Sequence, residues 1–384
     1  MTQSDLELGS SSHELPDVDA VTVPDAAGSS FFGPGAPAAD RAGERRSLHP
    51  DDTGDTDSQV AQAPQVPGYT LLESLGRGGM AEVHLAEKQG AMGVGIRCAL
   101  KLILPARTGD PRYRDRLLDE ARILARLRHP NIVSVLDAGE VGDSVFLAME
   151  WVDGVDVAAL LETLRRQGRE MPLRHVLYVL DGALQGLHHA HTATGSDGEP
   201  MHVIHRDVSP GNILCSRQGA VALTDFGVAS GSPTLRVERV GTLSGKMPYF
   251  APELFRGQRP SAQSDVFALG VTLWEMLTVR PLFPRRLGPE EMREIIGRFH
   301  PDQLLEDDLT LPEPVEAILR RCLAPEPVDR YASAREFLED VNDCVYESGL
   351  RLLSTDFERW LQAVLAPKAS NGRRRLLGGA GGRA

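Results

Sequence analysis

The stretch that most constrains this chain is residues 203–214, Val-Ile-His-Arg-Asp-Val-Ser-Pro-Gly-Asn-Ile-Leu. Two apolar residues lead into His205-Arg206-Asp207, four residues separate Asp207 from Asn212, and Ile213-Leu214 resume an apolar run. A carboxylate and a carboxamide at this spacing face one small volume from a tight loop. The carboxylate can orient or deprotonate a hydroxyl. The amide oxygen can ligate a hard cation.

The rest of the chain is read around that loop. Its net charge of −13 excludes an electrostatic nucleic-acid binder as a whole-chain reading. The four cysteines, Cys98, Cys215, Cys322 and Cys344, lie far apart, so neither a zinc site nor a disulfide framework is expected. No run approaches the ~18 apolar residues of a membrane span. The start, Ser4-Asp5-Leu6-Glu7, lacks the basic and apolar regions of a secretory leader. A cytoplasmic protein with reduced thiols is the expectation.

Residues 1–66 hold twelve acidic residues against three arginines and few large apolar ones. Such a segment cannot bury enough surface to offset its ordering entropy, so it reads as a disordered acidic arm rich in Pro, Gly, Ser and Ala. Phe31-Phe32 within it reads as a chance pair. Residues 367–384, with five basic and no acidic residues, read as a flexible basic tail.

Between these ends the pattern is first strand-like and then helical. Strands are expected at Tyr69–Leu75, Glu82–Glu87, Arg97–Ile103, Ile132–Glu140 and Ser144–Glu150. A helix is expected over 112–128, stopped by His129-Pro130-Asn131. Helices are then expected over 156–167, 172–192, 264–279, 313–323, 333–347 and 355–365. A strand-rich lobe followed by a helix-rich lobe is an α+β arrangement.

Several further motifs sit on these elements. Leu75-Gly76-Arg77-Gly78-Gly79-Met80-Ala81-Glu82-Val83 lies between two strands. Glycines there let backbone N–H groups approach phosphate oxygens. Lys101, the last residue of Cys98-Ala99-Leu100-Lys101, comes eighteen residues after Val83, and Glu120 lies nine residues before His129. Thr224-Asp225-Phe226-Gly227 places a second carboxylate thirteen residues after Asn212. Asn212 and Asp225 together supply oxygen ligands suited to Mg²⁺. Ala251-Pro252-Glu253, Asp265 and Asp329-Arg330-Tyr331 follow. Taken singly, each has a bland reading: a turn, a solvated lysine, an exposed helix charge.

In this order and spacing, residues from about 69 to 346 resemble the eukaryotic-like serine/threonine protein kinase family, and within it the bacterial members. The insert His191–Met201 together with His205–Pro210 resembles a myxobacterial-type subgroup. The resemblance implies a bilobal protein-kinase fold: a small β-rich N-lobe with one helix at 67–150 and a larger helical C-lobe at 151–346. A further helix at 347–366 would pack on or next to the C-lobe. It implies ATP and Mg²⁺ as cofactors, with Mn²⁺ able to stand in, and transfer of the γ-phosphate to Ser or Thr hydroxyls of protein substrates. Asp207 would accept or orient the hydroxyl proton, and Asn212 and Asp225 would hold the metal. Lys101, fixed by Glu120, would contact the α- and β-phosphates. Leu75, Gly76, Gly78 and Gly79 belong to the nucleotide loop. Val83, Ala99 and Leu214 would sandwich the adenine, with Met149 beside it. Backbone groups of Glu150 and Val152 would bond the adenine, and Asp156 would meet the ribose. Glu253 would pair with Arg330, and Asp265 would brace the catalytic loop.

One position departs from the family pattern. The residue two after the catalytic Asp is ordinarily Lys, and here it is Ser209. The residue three before the tyrosine of Tyr249-Phe250-Ala251-Pro252-Glu253 is ordinarily Thr, and here it is Lys246. We expect an exchange in which Lys246 supplies the positive charge and Ser209 the hydroxyl. Thr242 and Thr234 are the favoured autophosphorylation positions. The competing reading is a pseudokinase or scaffold that binds nucleotide but transfers phosphate poorly. A small-molecule kinase is disfavoured by the Ala-Pro-Glu segment and Arg330, and tyrosine specificity by the catalytic-loop residues.

Overall fold

Alternation of apolar and polar residues from Tyr69 onward builds the first sheet. The computed structural model of the chain describes residues 65–77, 81–90, 93–103, 121–122, 124–142, 144–226, 246–305, 310–351 and 353–366. Nearly all of the acidic arm, Gly78, Gly79, Glu120, most of the 112–128 stretch, Thr234, Thr242 and the basic tail lie outside the described residues.

Five strands, β1 (Tyr69–Arg77), β2 (Ala81–Gln89), β3 (Gly95–Ile103), β4 (Val135–Val141) and β5 (Ser144–Glu150), form an antiparallel sheet in the order β1-β2-β3-β5-β4. Its register sorts the side chains. Val83 lies opposite Lys101, which lies opposite Leu147; Leu85 lies opposite Ala99, which lies opposite Met149. Directly paired residues share a face, so these six line one side. The other side buries Ala86, Cys98, Leu100, Leu102, Phe146 and Ala148 as a small separate core.

The fourth strand begins later than expected, at Val135. The residues before it are committed elsewhere: Leu223 N–H donates to Asn131 O at 2.9 Å, and Val133 N–H donates to Leu223 O at 2.9 Å. This joins the N-lobe to a three-stranded sheet of the second lobe, β6 (Gly154–Asp156), β7 (Ile213–Ser216) and β8 (Val221–Leu223). Asn131 Nδ2 adds a bond to Val221 O at 2.8 Å.

The second lobe is helical. Asp156 caps α1 (Val157–Gln167), and Gly168, at φ 63°, ends it in the left-handed conformation. The twenty residues of α2 (Leu173–Thr192) are buried along most of their length. Ser261 and Ser264 form a reciprocal cap on α3 (Ala262–Thr278), which is apolar nearly all round and central to the large core. Around them lie α4 (Pro289–Arg298), α5 (Glu313–Cys322), α6 (Ala334–Glu347) and α7 (Ser354–Leu365). The fold is the expected two-lobe α+β arrangement, with additions the sequence patterns did not mark: β6–β8 and α4. Only Met292 and Ile296 of α4 are buried, so its apolar period is too thin to read.

Candidate active site

One buried carboxylate fixes the 203–212 loop from below. Asp265, in the first turn of α3, accepts from the His205 N–H at 2.8 Å and from the Arg206 N–H at 2.9 Å. His191 Nε2 lies 2.8 Å from the same carboxylate. Arg206 and Asp225 have φ values of 66° and 54°. For side chains with a Cβ this left-handed geometry costs on the order of 1–3 kcal/mol, and it persists where surrounding bonds over-determine it.

His205 is fully buried and stacks on Phe226 with ring centroids 4.3 Å apart. Its Nδ1 accepts from the Asp207 N–H at 3.3 Å, which puts the ring proton on Nε2. Burial holds the imidazole below its ordinary pKa in spite of the carboxylates of Asp265, Asp207 and Asp225. His205 is therefore a neutral group that orients the backbone ahead of Asp207.

Asp207, Asn212, Asp225, Lys101 and Lys246 converge. Asn212 Nδ2 donates to Asp207 O at 2.7 Å and to Asp207 Oδ2 at 2.9 Å. Lys101 Nζ donates to Asp225 Oδ1 at 2.7 Å. Lys246 Nζ donates to Asp207 Oδ2, linking residues 39 positions apart. Burial alone would raise the Asp225 pKa, but the charge and hydrogen bond of Lys101, helped by the charge of Lys246, hold it below the ordinary carboxylate value. Asp225 is thus an anion across the neutral pH range.

This donor set fits a hard divalent cation. Asn212 spends its amide nitrogen on Asp207, which leaves its amide oxygen as a ligand. Lys101 takes only one Asp225 oxygen. Mg²⁺ binds through one or two protein oxygens and fills its shell from phosphate and water. Accordingly, no group of three or more His, Cys, Asp or Glu side chains among the described residues could form a metal cage.

Above this polar cluster lie apolar walls. Val133, Met149 and Ala222 are buried together, with Ala99, Leu147, Val152 and Leu214 packed against them. Val83 projects from the same sheet face as Ala99, and Gly76 sits opposite Val83. Leu75 is partly exposed just before the glycine turn. The Glu150 N–H is committed to Ser134 O at 2.8 Å, whereas the Val152 N–H has no partner among the described residues. Asp156 pairs with Leu214 across β6 and β7, and its Oδ1 accepts from Ala159 N–H at 2.7 Å as the α1 cap.

Some expected features are not brought together. The Ser209 hydroxyl has no hydrogen-bond partner among the described residues, although its carbonyl accepts from Asn212 N–H at 2.9 Å. Glu120 lies outside the described residues, and the described partner of Lys101 is Asp225. Two groups were missed. His191 reaches Asp265 from the end of α2. Glu275 accepts from Tyr249 OH at 3.1 Å and from Arg285 Nη2 at 2.7 Å. Burial raises the Glu275 pKa even against Arg285 and Tyr249. A second carboxylate, ten residues after Asp265 in the otherwise apolar α3, was the available signal for it.

Comparison with known proteins bears on the whole domain. The protein kinase domain family matches residues 69–341. The tyrosine-protein kinase MasK of Myxococcus xanthus is 40% identical over 273 residues, covering 71% of this chain and 42% of that protein. The serine/threonine-protein kinase PknH of Mycobacterium tuberculosis is 34% identical over 286 residues, covering 73% of this chain and 42% of that protein. The chain thus spans less than half the length of these curated relatives. The crystal structure of the Mycobacterium tuberculosis PknI kinase domain is similar with a TM-score of 0.52 at 30% identity, covering 74% of this chain and 99% of that one. The chain belongs to the protein kinase family.

Proposed function

We propose that this chain is an ATP- and Mg²⁺-dependent protein kinase that phosphorylates Ser and Thr hydroxyls, its own among them, in bacterial signalling. The observation that carries this reading is the convergence of Asp207, Asn212 and Asp225 with Lys101 beneath the apolar walls of Ala99, Met149 and Leu214. Protein kinases use ATP with a divalent metal. Here Asn212 and Asp225 are the residues to hold Mg²⁺, which when bound neutralises phosphate charge. Asp207 orients the acceptor hydroxyl and takes its proton. Lys101 meets the α- and β-phosphates, and Glu120 is its partner in that role. The adenine lies between Val83, Ala99 and Leu214, bonded by the backbone at Glu150 and Val152. Asp156 has a second carboxylate oxygen left for the ribose once Oδ1 has capped α1.

The substrate hydroxyl has a second reading. MasK, at 40% identity, is named a tyrosine kinase, whereas PknH is named a serine/threonine kinase. One experiment addresses activity and residue class together. The full chain is incubated with labelled ATP, Mg²⁺ and a generic basic protein, beside Asp207→Ala, and the product is hydrolysed to phosphoamino acids. Label on Ser and Thr, lost by roughly 100-fold or more in Asp207→Ala, is expected. Label on Tyr replaces the substrate class. Nucleotide binding without transfer identifies a pseudokinase instead.

A further inference from the structure

The loop that carries Asp207 has no lysine: from Asp207 to Asn212 it reads Asp-Val-Ser-Pro-Gly-Asn. Phosphoryl transfer spreads negative charge over the oxygens of the migrating group, and positive charge fixed at that place in advance is the main protein contribution. Among the described residues, two ammonium groups reach the carboxylate cluster. Lys101 is held by Asp225. Lys246 is on Asp207, the residue that faces the acceptor hydroxyl.

Lys246 is anchored for such a role. It begins a tight turn in which Tyr249 N–H donates to Lys246 O at 3.1 Å and Phe250 N–H donates to Met247 O at 3.0 Å. Met247 and Tyr249 are buried, and Tyr249 OH is tied to Glu275 on α3. The backbone is therefore fixed while the side chain stays about half exposed, at 52%, against 13% for Asp207. A long flexible stem on a pinned backbone can shift its ammonium by a few ångströms without moving the fold.

We propose that Lys246 is a catalytic residue: its ammonium, carried on the polypeptide that precedes Ala251-Pro252-Glu253, supplies the positive charge that meets the phosphoryl group in transit. The proposal rests on the kinase reading above. In the step, the acceptor oxygen bonds to the γ-phosphorus as the bond to the β,γ-bridging oxygen breaks. The hydroxyl proton goes to Asp207, and the bridging electron pair leaves on ADP. Lys246 exchanges neither proton nor electrons. Ser209, two residues from Asp207 with its hydroxyl uncommitted among the described residues, is where a relocated ammonium can substitute for it.

The test uses the full chain and four forms: wild type, Lys246→Ala, Lys246→Thr and Ser209→Lys/Lys246→Thr. Lys246→Ala and Lys246→Thr are expected to lower kcat by about 100-fold, with KM for ATP changed by less than about threefold. Adding Ser209→Lys is expected to restore at least about tenfold of the loss, which a residue that merely props Asp207 would not allow. In parallel, equilibrium binding of Mg²⁺ with ADP and with the β,γ-imido analogue of ATP is measured. Lys246→Ala should weaken the analogue several-fold and leave ADP unchanged. The proposal is overturned by a kcat within about threefold of wild type, by absence of recovery on adding Ser209→Lys, or by equal effects on the two nucleotides. If wild type binds nucleotide but transfers nothing, the kinase reading fails. The binding pair then decides the Lys246 assignment alone.

Discussion

Arg330 commits every donor it has. Nε bonds Ala324 O, Nη1 bonds Glu253 Oε1 and Gln263 O, and Nη2 bonds Glu253 Oε2 and Pro325 O, all between 2.7 and 3.0 Å. Both partners of the pair are buried, so losing one strands a charge in the interior. Glu253→Ala or Arg330→Lys should each cost about 3–5 kcal/mol in chemical denaturation, the lysine because it cannot reproduce a planar five-donor fork. An unchanged midpoint in either variant would show the pair to be dispensable. The sequence made this residue legible, along with Asp207, Asn212 and Asp225, because phosphoryl chemistry and bidentate pairing tolerate few residue types at few spacings. It also pointed to Lys246 by position. It did not reveal that the Ser209 hydroxyl would stand without a partner, because a hydroxyl's bonds depend on neighbours brought in from elsewhere in the chain. His191 was illegible for the same reason: nothing local distinguishes a helix-end histidine that meets Asp265 from one that meets water.

At the scale of elements, α2 touches the β8 sheet and the 131–133 crossing through its glycines. A Cβ on Gly186 would lie 2.6 Å from Asn131 O, which already accepts from Leu223 N–H. A Cβ on Gly297, in α4, meets nothing within 4 Å. The two substitutions should therefore have opposite signs. Gly186→Ala gains ~1 kcal/mol of helix propensity but forces a backbone carbonyl aside at about 1–3 kcal/mol, and losing the Leu223 bond tips the balance toward destabilisation. Gly297→Ala keeps the propensity gain and should stabilise by up to about 1 kcal/mol. Urea midpoints that move in the same direction for both would refute this account. Helices such as α1, α5, α6 and α7 were readable from periodicity because each has one wet and one dry face, and α3 was readable from its continuous apolar run. The three-residue strands β6 and β8 are too short to express a period. They exist because β7 and the 131–133 crossing hold them.

At the scale of the whole molecule, the packed body extends beyond residue 341, where the family match ends. Phe357, Leu361 and Val364 of α7 join the main core, and Gln167 Nε2 donates to Val364 O at 2.9 Å. On the α2 side, His175 lies against Trp360 at 4.7 Å and Phe357 at 5.7 Å. Burial, with the charge of Arg174, pushes the His175 pKa down from 6.5 to about 4, and Asp356 only partly opposes it. The unfolded chain therefore takes up a proton that the folded one refuses between those values, so stability rises with pH across that window and is flat above it. At ~1.36 kcal/mol per pH unit the whole window is worth about 3 kcal/mol. Other histidines titrate too, so the measurement is the difference between wild type and His175→Phe from pH 4 to 7. Parallel curves would rule the linkage out. The connection between the lobes carries a mechanical consequence. They meet covalently at 151–153 and again through the hydrogen bonds from 131–133 to Leu223. The Lys101–Asp225 ion pair and the apolar wall shared by Ala99, Met149, Ala222 and Leu214 add further ties between the lobes. The lobes are thus stitched along a seam, and a load on either one is shared across the place where Asp225, two residues from Leu223, lies.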